Sequence, residues 1–394
     1  MGEKKANGQS RCAAGETPGG WFDHMIDHCY DYAVEARHGG RPIIGVLCEY
    51  TPRELILAAG GVPVCLCGGS AEMIPPAEED LPANLCPLIK STYGYHKRRA
   101  NPFLEMAALI VAETTCDGKK KMYELMGLTR PMCVLELPQM PDGPDALEHW
   151  RRQLGRFQAE LEGRLKVTIT HEKLRRAIAD MNRERASRRK LAELMRCDRP
   201  PMTGRQLLTM KSSISCMPGL QEQFDRAVAD FSAAGGRDEL AGRVRVLMTG
   251  VPMVLGAERV LDIVEDSGGL VVCLESCTGL KPILDDVDES APDPLRALAE
   301  KYLHLPCSVM TANTRRLDVL RRLVAEYRPQ CVIELIWQAC LTYDVESHLV
   351  RRLVQDELHL PYLAIRTDYS PADSSRIALR VEALFETARG RGQQ

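Results

Sequence analysis

No stretch of this sequence reaches the roughly 18 consecutive apolar residues that a membrane-spanning helix requires, so no membrane partner is expected. The opening, MGEKKANGQSRCAAGETPGG, lacks the apolar centre of a secretory signal and reads as a short disordered tail on a cytoplasmic protein. Aromatic residues make up only 5% and net charge is only −3. That leaves few stacking platforms and no basic footprint for nucleic acid. There is no G-x-x-x-x-G-K-S/T phosphate loop and no G-x-G-x-x-G after the first strand. Gly250 and Gly256 bracket a strand-to-helix loop but fit neither pattern. The chain is therefore not expected to hydrolyse ATP itself. Zinc spacing is missing too: Cys65/Cys67 and Cys273/Cys277 come nearest, and neither is Cys-x2-Cys.

What the chain does have is cysteine, fifteen in 394 residues. Disulfides are disfavoured in a reducing cytosol. Many of these thiols are expected to be plain buried hydrophobes. The length suits two or three domains.

Two halves read alike. The first runs strand (Ile43 to Leu47), helix (N-cap Thr51, Pro52 at the first turn, end at Ala59), Gly60-Gly61, strand (Val62 to Leu66), Cys67. The second runs strand (Val244 to Met248), helix (Ala257 to Asp266), Gly268-Gly269, strand (Leu270 to Leu274), Cys277. Each half then carries a cysteine beside a proline, Cys86 and Cys307. Next comes a strand with a glutamate, Glu113 and Glu334, followed by a third cysteine, Cys116 and Cys340. A helix and a last strand follow, Met132 to Leu135 and Tyr362 to Ile365. Alternating strands and helices imply an α/β fold with two Rossmann-like parallel-sheet domains of similar topology. The expected division is a disordered tail and leading helix (1–40), a first α/β domain (41–144), a helical insert (145–237) and a second α/β domain (238–394). In the insert, helices are expected over Ala146 to Leu165 and Glu172 to Arg196, with Thr170 as N-cap.

Ligands in such sheets sit outside the carboxyl ends of the strands. All six repeated cysteines fall just past strand ends, so they are expected to face one another across the inter-domain cleft. Their gaps are 19 and 30 residues in the first half and 30 and 33 in the second. Thiolates select zinc, copper(I) or iron–sulfur clusters, and dispersed ligands suit a large cluster held between domains. Three thiolates per cubane leave one iron open, which hints at chemistry rather than electron transfer alone. Cys65, Cys133, Cys273 and Cys331 are expected in the core, with Cys65 pointing away from Cys67. Cys12 and Cys29 lie in or near the tail, and Cys197 and Cys216 flank the insert. Cys48 competes as a further strand-end thiol. Lys119-Lys120-Lys121 reads as a solvated face, with compensation of cluster charge or an acidic partner as the alternative. Glu113 and Glu334 read as loop caps or as proton relays. The nine histidines share no pattern.

The segments LCPLIKSTYGY, ETTCDGKKKMYELMG, ESCTG, AEKYLHLPCSVMTANTRRL, LIWQACLTYDVES and RTDYSPAD resemble the 2-hydroxyacyl-CoA dehydratase superfamily, most of all its double-cubane cluster branch. The resemblance runs from about Gly45 to the C-terminus. It implies a 4Fe–4S cluster on Cys86, Cys116 and Cys340. In the double-cubane branch, Cys67, Cys277 and Cys307 join them to hold an 8Fe–9S centre. It further implies a homodimer fed with electrons by a separate ATP-hydrolysing iron–sulfur activator, and reduction of a small-molecule substrate. The rival readings are a dehydratase subunit with one 4Fe–4S cluster and a non-enzymatic low-potential electron carrier. Leu341 stands where the family pattern leads one to expect a histidine.

Overall fold

The computed structural model of the protein describes residues 18–391. The first half forms β1 (Ile43–Val46), β2 (Val62–Cys65), β3 (Ala107–Glu113) and β4 (Met132–Leu135). The second forms β5 (Val244–Gly250), β6 (Gly269–Glu275), β7 (Cys331–Trp337) and β8 (Tyr362–Thr367). Every pairing is parallel, in the order β2-β1-β3-β4 and β6-β5-β7-β8. The two sheets thus share one topology, as expected. β1, β6 and β7 are buried along their whole length, which is why they read as largely apolar runs, with Glu334 of β7 and Glu275 at the end of β6 as buried exceptions.

The helix after β1 is Arg53–Ala58, capped by Pro52 rather than Thr51. Burial explains the shift: the Thr51 hydroxyl is fully enclosed and donates to the Glu113 carboxylate instead. Gly60 and Gly268, with φ of +81° and +89°, turn the two halves into their second strands through a conformation that side chains disfavour. The insert supplies the long helices Ala146–Leu165 and His171–Glu193, and Thr170 caps the second through the Lys173 N–H. A third helix, Leu220–Ala234, stops at Gly235 before the second half. Cys12 lies outside the described residues. Cys29 is not a tail residue: it is fully buried within the leading helix Met25–His38.

The halves are interleaved rather than merely adjacent. One face of the first sheet, with Ile44, Val46, Leu109 and Val111, is covered by Trp150, Leu154 and Phe157 of the insert and by the helix Pro294–Leu303 of the second half. Arg185 of the insert, Glu54 of the first half and Tyr302 of the second meet in one buried hydrogen-bonded knot. At the strand ends, the Tyr50 hydroxyl donates to Leu305 O (3.2 Å), Thr311 N–H to Gln139 O (2.7 Å) and the Tyr369 hydroxyl to Gly68 O (3.5 Å). The carboxyl ends of both sheets therefore face one seam. Among the described residues no helix is long and apolar enough to cross a membrane.

Candidate functional site at the seam

Cys86, Cys116 and Cys340 each immediately precede a helix: Pro87–Arg98, Asp117–Gly127 and Leu341–Arg352. Cys67 and Cys277 follow β2 and β6, and Cys307 follows Pro294–Leu303. Cys340 and Cys86, from different halves, face one another thiol to thiol, which lowers Cys86 and raises Cys340. Cys116 lies in electrostatic contact with both Cys340 and Cys307. Cys277 lies within electrostatic range of Cys307 and Cys48, and Cys67 within range of Cys48. All six repeated thiols thus belong to one connected set, and Cys48 lies among them. None of the described cysteines is in a disulfide.

Burial dominates the electrostatics. It raises Cys277 and Cys116, and it pushes Cys48 up to about 12. Two lysines oppose it. Lys281 is buried against Cys277 and Cys307, donating to the Tyr343 hydroxyl at 2.7 Å and facing Glu275 at 3.3 Å. Lys119 donates to Leu47 O at 3.0 Å, beside Cys48, Cys67 and Cys116. The solvated reading of the lysine run therefore holds for Lys120 and Lys121, which are 48% and 71% exposed, and fails for Lys119. Lys119 turns inward because the thiols and the Leu47 carbonyl, which also accepts from the Cys67 thiol at 3.5 Å, lie beneath it. Lys281 was not singled out in the sequence; its place four residues after Cys277 was the available signal.

Cys65 is a second correction. Residues i and i+2 of a strand share a face, and Cys65 hydrogen-bonds Cys67; the shared proton holds Cys65 low, to about 6, and Cys67 high. Cys273 and Cys331 are core residues as expected, whereas Cys133 on the edge strand β4 is half-buried. Glu334 is held by Arg316 at 3.0 Å and by the Tyr362 hydroxyl at 2.6 Å, inside a charge network that also takes Glu275 and Glu346. Among the described residues Glu113 is bonded only by the Thr51 hydroxyl, and its second oxygen is buried without a partner. Leu341 is 71% exposed, so that side chain faces away from the thiols.

Among the described residues, no three His, Cys, Asp or Glu side chains are pinched onto one point as a single metal ion requires. A structural zinc needs four ligands on one ion. An iron–sulfur core has no such need, since each thiolate takes its own iron. A connected set of six soft donors, flanked by two buried cations, fits the larger group. A cavity of about 650 Å³ reaches Cys65, Cys67 and Cys277 from outside.

Parallel strands in a duplicated topology, with thiols at facing strand ends, define an α/β protein of two Rossmann-like units. Residues 48–388 match the family described as 2-hydroxyglutaryl-CoA dehydratase, D-component, and the chain belongs to the 2-hydroxyacyl-CoA dehydratase superfamily of enzymes. It is 38% identical to the "Putative dehydratase subunit YjiM" of Escherichia coli (strain K12), over 90% of this chain and 93% of that one. It is 23% identical to the (R)-phenyllactyl-CoA dehydratase beta subunit of Clostridium sporogenes, over 93% and 97%. It is 22% identical to the (R)-2-hydroxyglutaryl-CoA dehydratase beta subunit of Acidaminococcus fermentans, over 88% and 93%.

Proposed function

We propose that Cys67, Cys86, Cys116, Cys277, Cys307 and Cys340 hold a double-cubane 8Fe–9S centre, and that the protein reduces a small molecule at low potential. The observation that carries this reading is the single connected set formed by three thiols from each half. When bound, the centre supplies low-potential electrons and metal or sulfide positions not taken up by cysteine. The chain's own residues do the rest. Lys119 and Lys281 place positive charge beside the thiolates, offsetting their repulsion and favouring electron uptake. Tyr50, Tyr343 and Tyr369 lie against the cysteines as apolar walls that limit water. In this reading the protein is a cytoplasmic homodimer, and its electrons come from a separate ATP-hydrolysing iron–sulfur activator.

The named dehydratase relatives favour a second reading, a dehydratase subunit with one 4Fe–4S cluster on Cys86, Cys116 and Cys340. Anaerobic purification with iron and sulfide quantification separates the two. About eight irons per chain support the double cubane and about four the dehydratase. Cys307→Ala should roughly halve the iron under the first reading. Unchanged iron in that variant would remove Cys307 from the ligand set.

A further inference from the structure

The cavity that reaches Cys67 and Cys277 has a charge pattern of its own. Glu49 on its wall is held by Arg53 at 2.9 Å, and Glu258 faces Arg205 at 3.8 Å. The exposed Asp23 lies where the N-terminal residues line the cavity. Two further cations have no such partner. Arg188 makes no ion pair or side-chain hydrogen bond among the described residues. Its nearest carboxylates are engaged elsewhere, Glu49 by Arg53 and Glu184 by the Cys216 N–H at 2.7 Å. Among the described residues Lys211 forms no ion pair and donates to the Met253 carbonyl at 3.3 Å; Glu258 supports its charge from a distance, while Arg188 opposes it and Cys65 lies in range. The two charges therefore sit together, on the cysteine side of the cavity. Ser213 and Ser215 line the same wall. The lining also includes the apolar rings of Phe22, Phe103 and Phe231.

A guanidinium presents a planar fork that matches a carboxylate, and a neighbouring ammonium adds a point charge. Buried cations lacking a counter-ion carry a desolvation cost that a bound anion relieves. Burial holds the Lys211 ammonium down to about 8, a cost of this kind. The volume lies in the range of pockets that take small organic molecules. We infer that this cavity binds an organic carboxylate with an apolar body, its carboxylate on Arg188 and Lys211 beside the cysteine seam. This names the substrate class and rests on the proposed reductase reading for its catalytic sense, though not for binding itself.

The test is anaerobic titration calorimetry with hexanoate, its neutral amide hexanamide, and acetate, with iron measured on each sample. Hexanoate should bind, and the amide and acetate at least about tenfold more weakly. Arg188→Gln and Lys211→Met should each weaken hexanoate at least about tenfold without changing iron content. Equal binding of hexanoate and hexanamide, or unchanged affinity in both variants, would overturn the carboxylate site. Equal binding of acetate would overturn the apolar body. Low iron in a sample that binds hexanoate through Arg188 would sink the cluster reading and leave the anion site standing. Full iron with no hexanoate binding would do the reverse.

Discussion

At the scale of single residues, the seam separates carboxylates that have counter-ions from one that has none. Glu113 ends β3 and Glu334 lies in the middle of β7, and only Glu334 meets a guanidinium. Without one, burial raises Glu113 from 4.5 to about 7. Folding thus favours its protonated form, so its contribution is best at low pH and is lost as pH rises through about 7. The cost above that pH is on the order of 3 kcal/mol. Glu113→Gln keeps an acceptor for Thr51 and removes the ionisation. Its denaturation midpoint is expected to stay flat between about pH 5 and pH 8, where the parent's declines. A parent midpoint flat across that window would show that Glu113 is not perturbed. Lys119 and Arg53 are the cations in range of Glu113; Lys119 turns toward the thiols and Arg53 pairs with Glu49, which leaves Glu113 poorly compensated.

At the scale of elements, each cysteine is placed by the strand or helix beside it. The helix Pro87–Arg98, which begins at Cys86, packs against the segment Ala71–Glu78 through Gly94. A Cβ at Gly94 would lie 1.8 Å from the Met73 carbonyl oxygen, so even alanine forces the helix away. Gly94→Ala is expected to cost about 1–3 kcal/mol by denaturant titration. It should also lower iron content, because Cys86 moves with its helix. Normal iron in a destabilised variant would mean that the seam tolerates the shift.

The duplicated strand order was legible because buried parallel strands leave apolar runs and helix stops leave glycine pairs. Met132–Leu135 and Ala146–Leu165 were readable residue for residue. Thr51 misled because a side chain drawn to a distant carboxylate looks, in sequence, like a cap. Lys119 and Lys281 were hidden for a related reason. Which lysine of a charged run turns inward depends on what the other elements place beneath it, and no local pattern carries that. The thiol set was readable only because it occurs twice. Cys65 shows the limit: its contact follows from strand periodicity read correctly, not from the repeat.

At the scale of the whole molecule, the halves are fastened by buried polar groups as well as by apolar packing. Arg185 is 2% exposed and Glu54 fully enclosed, with Tyr302 bonded to both. Arg185→Leu would strand the Glu54 charge and should cost about 3–5 kcal/mol. Adding Glu54→Leu should recover much of that, because a dry apolar pair replaces an uncompensated ion. Urea titration of the two variants measures the difference. A double variant no more stable than the single would show that the knot contributes through shape rather than charge.

The covering of the first sheet by Pro294–Leu303 has a consequence for how the protein is made. A ribosome delivers the first β1-to-β4 unit long before the helix that closes its outer face. Until that later helix emerges, Ile44, Val46, Leu109 and Val111 lack part of their apolar cover. Fragments cut in the insert should become competent only when both pieces are produced together.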